Sequence, residues 1–259
     1  MKQTWKPGNM LYPLPVVLVS TRGLDGKDNL ITVAWAGTVC TNPPMLSISV
    51  KKIRYSYQAL HDTGVFVVNL TTKALVKATD YCGVRSGRDE DKWERLKLTK
   101  EEADLVPVSM VGESPVNIEC RVVEEKELGS HVMFLAEVVN VHVDDRYMDE
   151  KGRFCLEKAE PIVYSHGIYF NLDQKLGTFG YSVKKPEVKK PDAKKPEAKK
   201  PDAKKPDSSM SGYKKPRKKI KKTQFKKIEM GYNNELRKIK KKKRKENEAE
   251  EWTRLYQNF

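Results

Sequence analysis

The stretch DNLITVAWAG, residues 28–37, decides the fold, because it has a strand's composition yet has an amide at its second position and an indole in mid-run. We predict a strand over residues 30–40. Alternation divides its side chains between two faces, Ile31, Val33 and Trp35 on one and Thr32, Ala34 and Ala36 on the other. The small residues, with Gly37, let a flat ligand approach, and Asn29 offers it a donor and an acceptor. The alternative is a turn asparagine beside a core tryptophan.

Short Val- and Ile-rich segments separated by turn residues dominate the first part of the chain. Further strands are predicted over residues 15–20, 45–50, 65–70, 116–125 and 131–145. Helical signals are fewer and cover residues 56–64, 72–83 and 89–98. Strands this closely spaced favour a mainly β domain, a closed barrel with a few short helices, over a βαβ fold. Neither the dinucleotide-binding nor the P-loop glycine motif occurs.

Charge divides the chain into unequal parts. The net charge is +15, of which residues 1–180 contribute −2 and residues 181–259 contribute +17. From Lys184 a five-residue repeat, KKPEVKKPDAKKPEAKKPDAKKPD, places proline where neither helix nor strand can continue. We therefore predict a globular domain over residues 1–180, a disordered Lys-Pro linker over 181–213 and a disordered basic tail over 214–259, whose end has the apolar spacing of a short helix.

The four cysteines lie 42, 38 and 35 residues apart and form no Cys-x-x-Cys pair. Neither a zinc knuckle nor a dithiol redox motif is therefore encoded. No secretory signal is recognisable, and no apolar run reaches the ~18 residues that a membrane span needs. We expect free thiols, a cytoplasmic location and no transmembrane segment.

A second candidate site follows the strand predicted at residues 45–50. The segment KKIRYSYQAL, residues 51–60, passes from basic residues into a helix that Ser56 is expected to cap. Backbone N–H groups at a helix start, a hydroxyl and the Arg54 guanidinium together suit a phosphate group. The alternative is a plain N-cap among surface cations. Ser47 and Ser49 alternate along the preceding strand as further polar candidates.

Two other side chains are candidates for a ligand site. Lys92 lies in the polar loop SGRDEDKW, residues 86–93, from which its ammonium can reach an anion, although a solvated loop explains it equally well. His131 follows LGS at the start of a predicted strand, where a side chain can face a cleft. The other histidines have no metal-ligand spacing, and no Ser-His-Asp arrangement can be argued. We therefore predict no metal site.

The ordered series NLITVAWAG, NPPMLSISV, RYSY, FVVNL, DYCGVRSGRDEDKW, VNIEC and GSHVMFLAEV resembles the flavin reductase-like family, and within it the flavoredoxin branch. The similarity covers roughly residues 5–170. The resemblance implies an FMN-binding split β-barrel with a Greek-key, six-stranded core. It also implies a homodimer that holds FMN non-covalently near the subunit interface.

The resemblance further assigns roles to single residues. Asn29 and Trp35 are expected beside the isoalloxazine and Ser56 near the phosphate. Lys92, His131 and Tyr164 are expected to complete the site. Arg54, Ser47 and Ser49 join this set from the spacing argument alone. Trp93 stands where relatives often have Phe, GSH stands where many have Gly-Asp-His, and the basic extension lies outside the family pattern.

Several functions follow from these patterns. In one, NAD(P)H reduces bound flavin while His131 orients the nicotinamide, and the electrons pass to free flavin or a redox partner. In another, FMN carries electrons between proteins and never meets a nicotinamide. The alternative is a nucleic-acid or other polyanion binder that acts through residues 184–245, with the barrel as a redox or structural module. The residues also leave open another flat ligand, such as pyridoxal phosphate or haem.

Overall fold

The computed structural model describes residues 1–172 and 174–183. Residues 174–183 belong to a second compact unit and contain one 3₁₀ turn, Tyr181–Val183. The predicted Lys-Pro linker, basic tail and polyanion-binding segment lie almost wholly outside the described residues. Within those residues, no helix combines the length and the apolar character needed to cross a bilayer.

The domain is mainly β, as predicted. Its twelve strands among the described residues are β1 (Leu14–Pro15), β2 (Val17–Arg22), β3 (Asp28–Val33), β4 (Ala36–Cys40), β5 (Met45–Val50), β6 (Val65–Leu70), β7 (Lys100–Glu102), β8 (Ser109–Val111), β9 (Val116–Glu127), β10 (Val132–Val143), β11 (Ile162–Ser165) and β12 (Ile168–Asn171). The helices are α1 (Tyr55–Thr63), α2 (Val76–Val84) and α3 (Lys92–Leu96), with short 3₁₀ turns at Lys73–Leu75, Asp145–Tyr147 and Leu156–Ala159.

Seven strands form one antiparallel sheet in the order β3-β2-β6-β9-β10-β5-β4. The two edge strands, β3 and β4, are consecutive in the chain and are joined by only Ala34 and Trp35. Two residues cannot cross a flat sheet of this width, so the sheet must curl until its edges meet. Counting β3 and β4 as one bent strand gives the six-stranded core that the family resemblance implies.

The single strand predicted over residues 30–40 is therefore wrong in one respect, since the chain bends at Ala34–Trp35. Up to the bend the predicted alternation holds, and Ile31 and Val33 are buried in the main core. Beyond it the faces change: Ala36 packs against that core, whereas Trp35 is 40% exposed. Trp35 shares no face with the core residues, and the alternative in which it fills the core is also excluded.

The barrel core explains the sequence patterns of the central strands. On β5, Leu46, Ile48 and Val50 are buried and alternate with half-buried residues. On β6, residues 65–68 alternate between two different apolar clusters, so both faces are covered and this run is apolar. The structure confirms β5 and β6 to the residue.

The helices begin and end near the predicted positions. Helix α1 is followed by Gly64 as its C-cap, whose left-handed φ of 66° suits glycine. Its predicted N-cap is wrong, because the helix begins at Tyr55 and Ser56 lies inside the first turn with its side chain buried. Helix α3 is capped by Asp91, whose carboxylate accepts hydrogen bonds from the N–H groups of Trp93 and Glu94.

A small sheet, ordered β1-β11-β12, and the pair β7–β8 complete the domain. The β11–β12 hairpin brings Tyr164 and Tyr169 opposite each other, with ring centroids 5.7 Å apart. Both tyrosines line the larger of two clefts on the barrel surface.

Candidate functional site

Two clefts adjoin on the barrel surface, because Ile31 and Arg54 line both. The smaller has a volume of about 160 Å³ and lies between β3, the start of α1 and the segment that leads from α2 to α3. The larger has a volume of about 610 Å³, within the usual range of small-molecule sites. Together they offer a confined polar end and a broad aromatic end.

The smaller cleft is built on a contact between Asn29 and Ser56. The Asn29 side-chain amide donates a hydrogen bond to Ser56 Oγ over 2.7 Å, and both residues are buried. Because Ser56 accepts this bond, its own hydroxyl hydrogen is left to donate elsewhere. No described side chain caps the start of α1, and its first turn has no acidic residue. An anion therefore meets unpaired N–H groups, the positive end of the helix dipole and a hydroxyl donor.

Three arginines line the same cleft but differ in their partners. Arg54 donates to the carbonyl of Gly83 at 3.3 Å. Arg88 donates to the carbonyl of Ile53 at 3.2 Å and lies 5.9 Å from the ring centre of Tyr55. The Arg85 guanidinium has neither a hydrogen-bond nor an ion-pair partner within residues 1–172 and 174–183. Arg85 is thus the cation in this cleft most available to a ligand.

Lys92 is placed differently from the prediction. It is the first residue of α3, not part of a solvated loop, and its side chain is buried. Its ammonium donates to the carbonyls of Leu30, at 2.6 Å, and Cys82, at 3.3 Å. Burial lowers the pKa of this amine, and burial also raises the pKa of the adjacent Cys82 thiol to about 11. Lys92 therefore joins β3 to α2 in the wall of the smaller cleft.

Gly87 is required for the tight wall of the smaller cleft. A Cβ on Gly87 would lie 2.2 Å from Asn29 Oδ1 and 2.8 Å from Tyr55 Cδ1, closer than side chains can approach. Glycine thus lets the 86–88 backbone pack directly against the amide that holds Ser56.

At one end of the larger cleft, Trp35 and His131 lie with their rings nearly parallel, 9° apart, and their centroids separated by 5.9 Å. Ser130 Oγ lies 2.8 Å from His131 Nδ1, within hydrogen-bond distance. Burial, together with the positive charges of Lys51 and Arg54, lowers the pKa of His131. Both effects favour the neutral imidazole over the charged form.

The other wall of the larger cleft carries Tyr164, Tyr169 and Asp80. The Tyr169 hydroxyl donates to Asp80 Oδ1 over 3.2 Å and so joins β12 to α2. Burial and the Asp80 carboxylate raise the pKa of Tyr169 to about 12, so the phenol stays protonated. This wall presents aromatic rings and one carboxylate that already has a donor.

The structure brings together eight of the nine residues singled out in the sequence. The smaller cleft is lined by Asn29, Arg54, Ser56 and Lys92, and the larger by Trp35, Ser49, Arg54, His131 and Tyr164. Ser47 is the exception. It lies two residues from Ser49 on the same face of β5, between Gly37 and Leu135, and lines neither cleft.

Comparison with known proteins agrees with this architecture. A family model described as the flavin reductase like domain matches residues 9–173, well over half of the chain. The chain belongs to the flavin reductase-like family. This membership supports a flavin-binding redox function, because the matched residues contain both clefts.

Solved structures place the chain near the flavoredoxins of this family. Flavoredoxin of Desulfovibrio vulgaris (Miyazaki F) is 30% identical, with a TM-score of 0.67 over 71% of this chain and all of that one. Flavoredoxin from Methanosarcina acetivorans gives the same identity and coverages with a TM-score of 0.64. An uncharacterized protein of Archaeoglobus fulgidus is 36% identical over 141 residues, 54% of this chain and 78% of that protein. The split-barrel fold is thereby confirmed.

Sequence reasoning missed several residues at the clefts of this flavin reductase-like domain, among them Lys51, Arg85, Gly87 and Arg88. Arg85 and Arg88 stand three residues apart on either side of Gly87, at the start of the polar loop in which only Lys92 was singled out. Two arginines flanking a glycine, directly after a helix, were the available signal. No sequence signal identified Lys51, because the neighbouring Lys52 is also a lysine and the sequence alone does not distinguish the two.

Proposed function

We propose that this protein holds FMN non-covalently, with the phosphate in the smaller cleft and the ring system in the larger one. The observation that carries the proposal is the unpaired Arg85 guanidinium in the same cleft as the uncapped start of α1. A cation, helix N–H groups and a hydroxyl are a donor set that fits a phosphate dianion. The two flavoredoxins at 30% identity support the same cofactor class.

Each residue of the smaller cleft has a distinct part in this proposal. Asn29 fixes the Ser56 hydroxyl so that its hydrogen points to the anion, and Arg85 supplies an uncompensated positive charge. Arg54 lines both clefts, so its guanidinium lies where the phosphate end meets the ring end. Lys92 mainly supports this wall, because two of its three ammonium N–H groups donate to carbonyls.

In the larger cleft, Trp35, His131 and Tyr164 would surround the ring system. A bound flavin supplies hydride and single-electron transfer chemistry, so the chain need not provide a nucleophile. The neutral His131, held by Ser130, orients an incoming nicotinamide without adding positive charge. We propose NADH or NADPH as the electron donor and free flavin or a redox partner protein as the acceptor.

Arginine substitutions test the proposed phosphate site. Arg85→Ala should weaken FMN binding about 10- to 100-fold, the loss expected for charge-assisted hydrogen bonds worth about 1.5–3 kcal/mol. Arg95→Ala removes the same charge from the exposed side of α3 and should change the affinity less than about twofold. Fluorescence quenching of added FMN measures both. Equal dissociation constants for the two variants would remove Arg85 from the site.

Reduction by a nicotinamide tests the donor. The visible absorbance of the FMN-loaded chain should bleach when NADH or NADPH is added without oxygen. Retained colour with both dinucleotides, in a protein that binds FMN, would instead favour an electron carrier between proteins.

We also propose that the domain works as a homodimer. Edge strand β12 exposes Ile168 and Phe170, at 56% and 49%, on one face, and an unpaired apolar edge is usually covered. Ile168→Lys with Phe170→Lys should lower the molar mass measured by light scattering if a second copy covers this face. An unchanged mass would place the dimer contact elsewhere.

The basic extension supports a second candidate function, polyanion binding. Its charge of +17 over residues 181–259 is the observation in its favour. Affinity of the whole chain for RNA should fall steeply with salt, and replacing the lysines of residues 184–245 by glutamine should abolish it. RNA affinity that survives those replacements would exclude this function for the tail.

A further inference from the structure

Two neighbouring lysines at the end of β5 have opposite surroundings. The Lys52 ammonium forms an ion pair with Glu127 on the β9–β10 hairpin. Lys51 lines the larger cleft, and no carboxylate among the described residues pairs with it. A lysine that faces a cleft without a counter-ion is available to an anionic ligand.

The groups around Lys51 are suited to an anion. Ser49 lines the same cleft two residues earlier in the chain, and Ser130 and His131 line it from the β9–β10 turn. The charges of Lys51 and Arg54 both act on the His131 ring. The charged and titratable side chains on the lining are Lys51, Arg54, Asp80, His131 and the two tyrosines, and Asp80 already accepts from Tyr169.

Lys51 is not needed for the proposed flavin phosphate. Arg85, Ser56 and the start of α1 form that site in the smaller cleft, which Lys51 does not line. The ring system would occupy part of the larger cleft, beside Trp35. Lys51 is then left for a second ligand that combines a flat ring with a negative charge.

We propose that Lys51 binds a phosphate group of the nicotinamide dinucleotide that reduces this protein. The proposal rests on the proposed function, since it assigns the donor's anion within the same pair of clefts. Such a dinucleotide carries a flat ring for the part of the larger cleft that the flavin leaves open, and a pyrophosphate that a cation on the same lining can bind. NADPH adds a 2′-phosphate with the same chemistry, so both phosphates are candidates.

The test measures binding without turnover. The full chain is loaded with FMN, and the dissociation constants of oxidised NAD⁺ and NADP⁺ are measured by calorimetry for the wild type, Lys51→Ala, Lys51→Arg and Lys52→Ala. Lys51→Ala should weaken binding about five- to tenfold, as for one partly exposed charge-assisted contact. Lys51→Arg should restore most of it. Lys52→Ala is the matched control and should change it less than about twofold.

The pattern over the two dinucleotides identifies the phosphate. Weakening of both NAD⁺ and NADP⁺ by Lys51→Ala assigns Lys51 to the pyrophosphate, and weakening of NADP⁺ alone assigns it to the 2′-phosphate. Equal constants for Lys51→Ala and Lys52→Ala overturn the proposal. So does a wild type that binds FMN but neither dinucleotide, a result that leaves the flavin site intact. A wild type that binds no FMN rejects the proposed function itself.

Discussion

The charge of Glu119 and the charges of the cleft cations have opposite surroundings. Glu119 is fully buried on β9, and its carboxylate accepts hydrogen bonds from the backbone N–H groups of residues 104–106 and from the side chains of Asn140 and His142. Arg85 and Lys51 line open clefts and have no ion-pair partner in the described part of the chain. The Glu119 carboxylate is fully hydrogen-bonded within the fold, whereas the Arg85 and Lys51 side chains have no partner of opposite charge among the described residues.

This difference separates a charge that stabilises the fold from charges that are available to a ligand. A buried carboxylate with five donors fixes the loop after β7 against the barrel, and losing any partner leaves a costly unpaired group. Asp104, Glu119 and His142 have ligand atoms within 4.8 Å of one another, which resembles a metal-ligand cluster. The Glu119 oxygens are already occupied by donors, however, so this cluster is a structural hub.

The largest effect is expected at the saturated carboxylate. Glu119→Gln keeps the shape but removes the charge and places an NH₂ group among donors, so the free energy of unfolding should fall by about 3–5 kcal/mol. Urea unfolding followed by circular dichroism measures this change. Glu124→Gln, on the exposed part of β9, should stay within about 0.5 kcal/mol. Similar losses for both variants would contradict a structural hub.

Acid should remove the same stabilisation. Burial alone would raise the pKa of the Glu119 carboxyl, but the hydrogen bonds from His142, Asn140 and the backbone outweigh it and lower the pKa below its ordinary 4.5. The unfolded chain therefore takes up this proton at a higher pH than the folded one. The stabilisation is complete above pH 4.5 and is lost as the pH falls toward the folded value.

The difference in unfolding free energy between wild type and Glu119→Gln measures this loss, because other carboxylates cancel. It should shrink as the pH falls below about 5. A difference that stays constant in acid would mean that Glu119 is not ionised in the fold.

A tight contact in the cleft should give a smaller effect. Gly87→Ala forces the 86–88 backbone away from Asn29 and Tyr55, so FMN affinity should fall about tenfold, or about 1.4 kcal/mol. Gly37→Ala is the control, because a Cβ there meets nothing within 4 Å. FMN titrations compare the two. Normal binding by Gly87→Ala would show that the ligand does not need this wall.

Sequence patterns predicted the parts of the fold that depend on local order. The bounds of β5 and β6 were predicted to the residue. Apolar and polar side chains alternate along β5, and β6 has a continuous apolar run because both of its faces are covered. Either pattern can be recognised from consecutive residues alone. The bend at Ala34–Trp35 was not predictable in this way. It exists because the barrel closes there, and closure depends on all the strands at once.

The candidate site shows the same limit. The ordered series of short motifs pointed to Asn29, Ser56 and His131, and all three line the clefts. Whether a cation is free or occupied depends on residues far away in the chain. Lys92 reaches Leu30, and Lys52 reaches Glu127, so two of the lysines near the site are already engaged. No local pattern distinguishes Lys52 from Lys51.

The smallest expected effect is a change in the pKa of His131, which should respond to Lys51 but not to Lys52. The pKa of His131 lies below 6.5 because of burial and the charges of Lys51 and Arg54. Lys51→Ala removes one charge that opposes protonation, so the pKa of His131 should rise by a few tenths of a unit, toward its ordinary value. Lys52→Ala should leave it unchanged, because Glu127 compensates that charge.

Proton NMR of the His131 ring during a pH titration of the FMN-free chain reads this shift directly, without a donor or turnover. A shift of equal size in both variants would mean that Lys51 and Lys52 are equivalent surface charges. In that case the presence or absence of an ion-pair partner would not distinguish a cleft lysine from any other surface lysine. A shift confined to Lys51→Ala would establish that its charge acts inside the cleft, where an incoming anion would meet it.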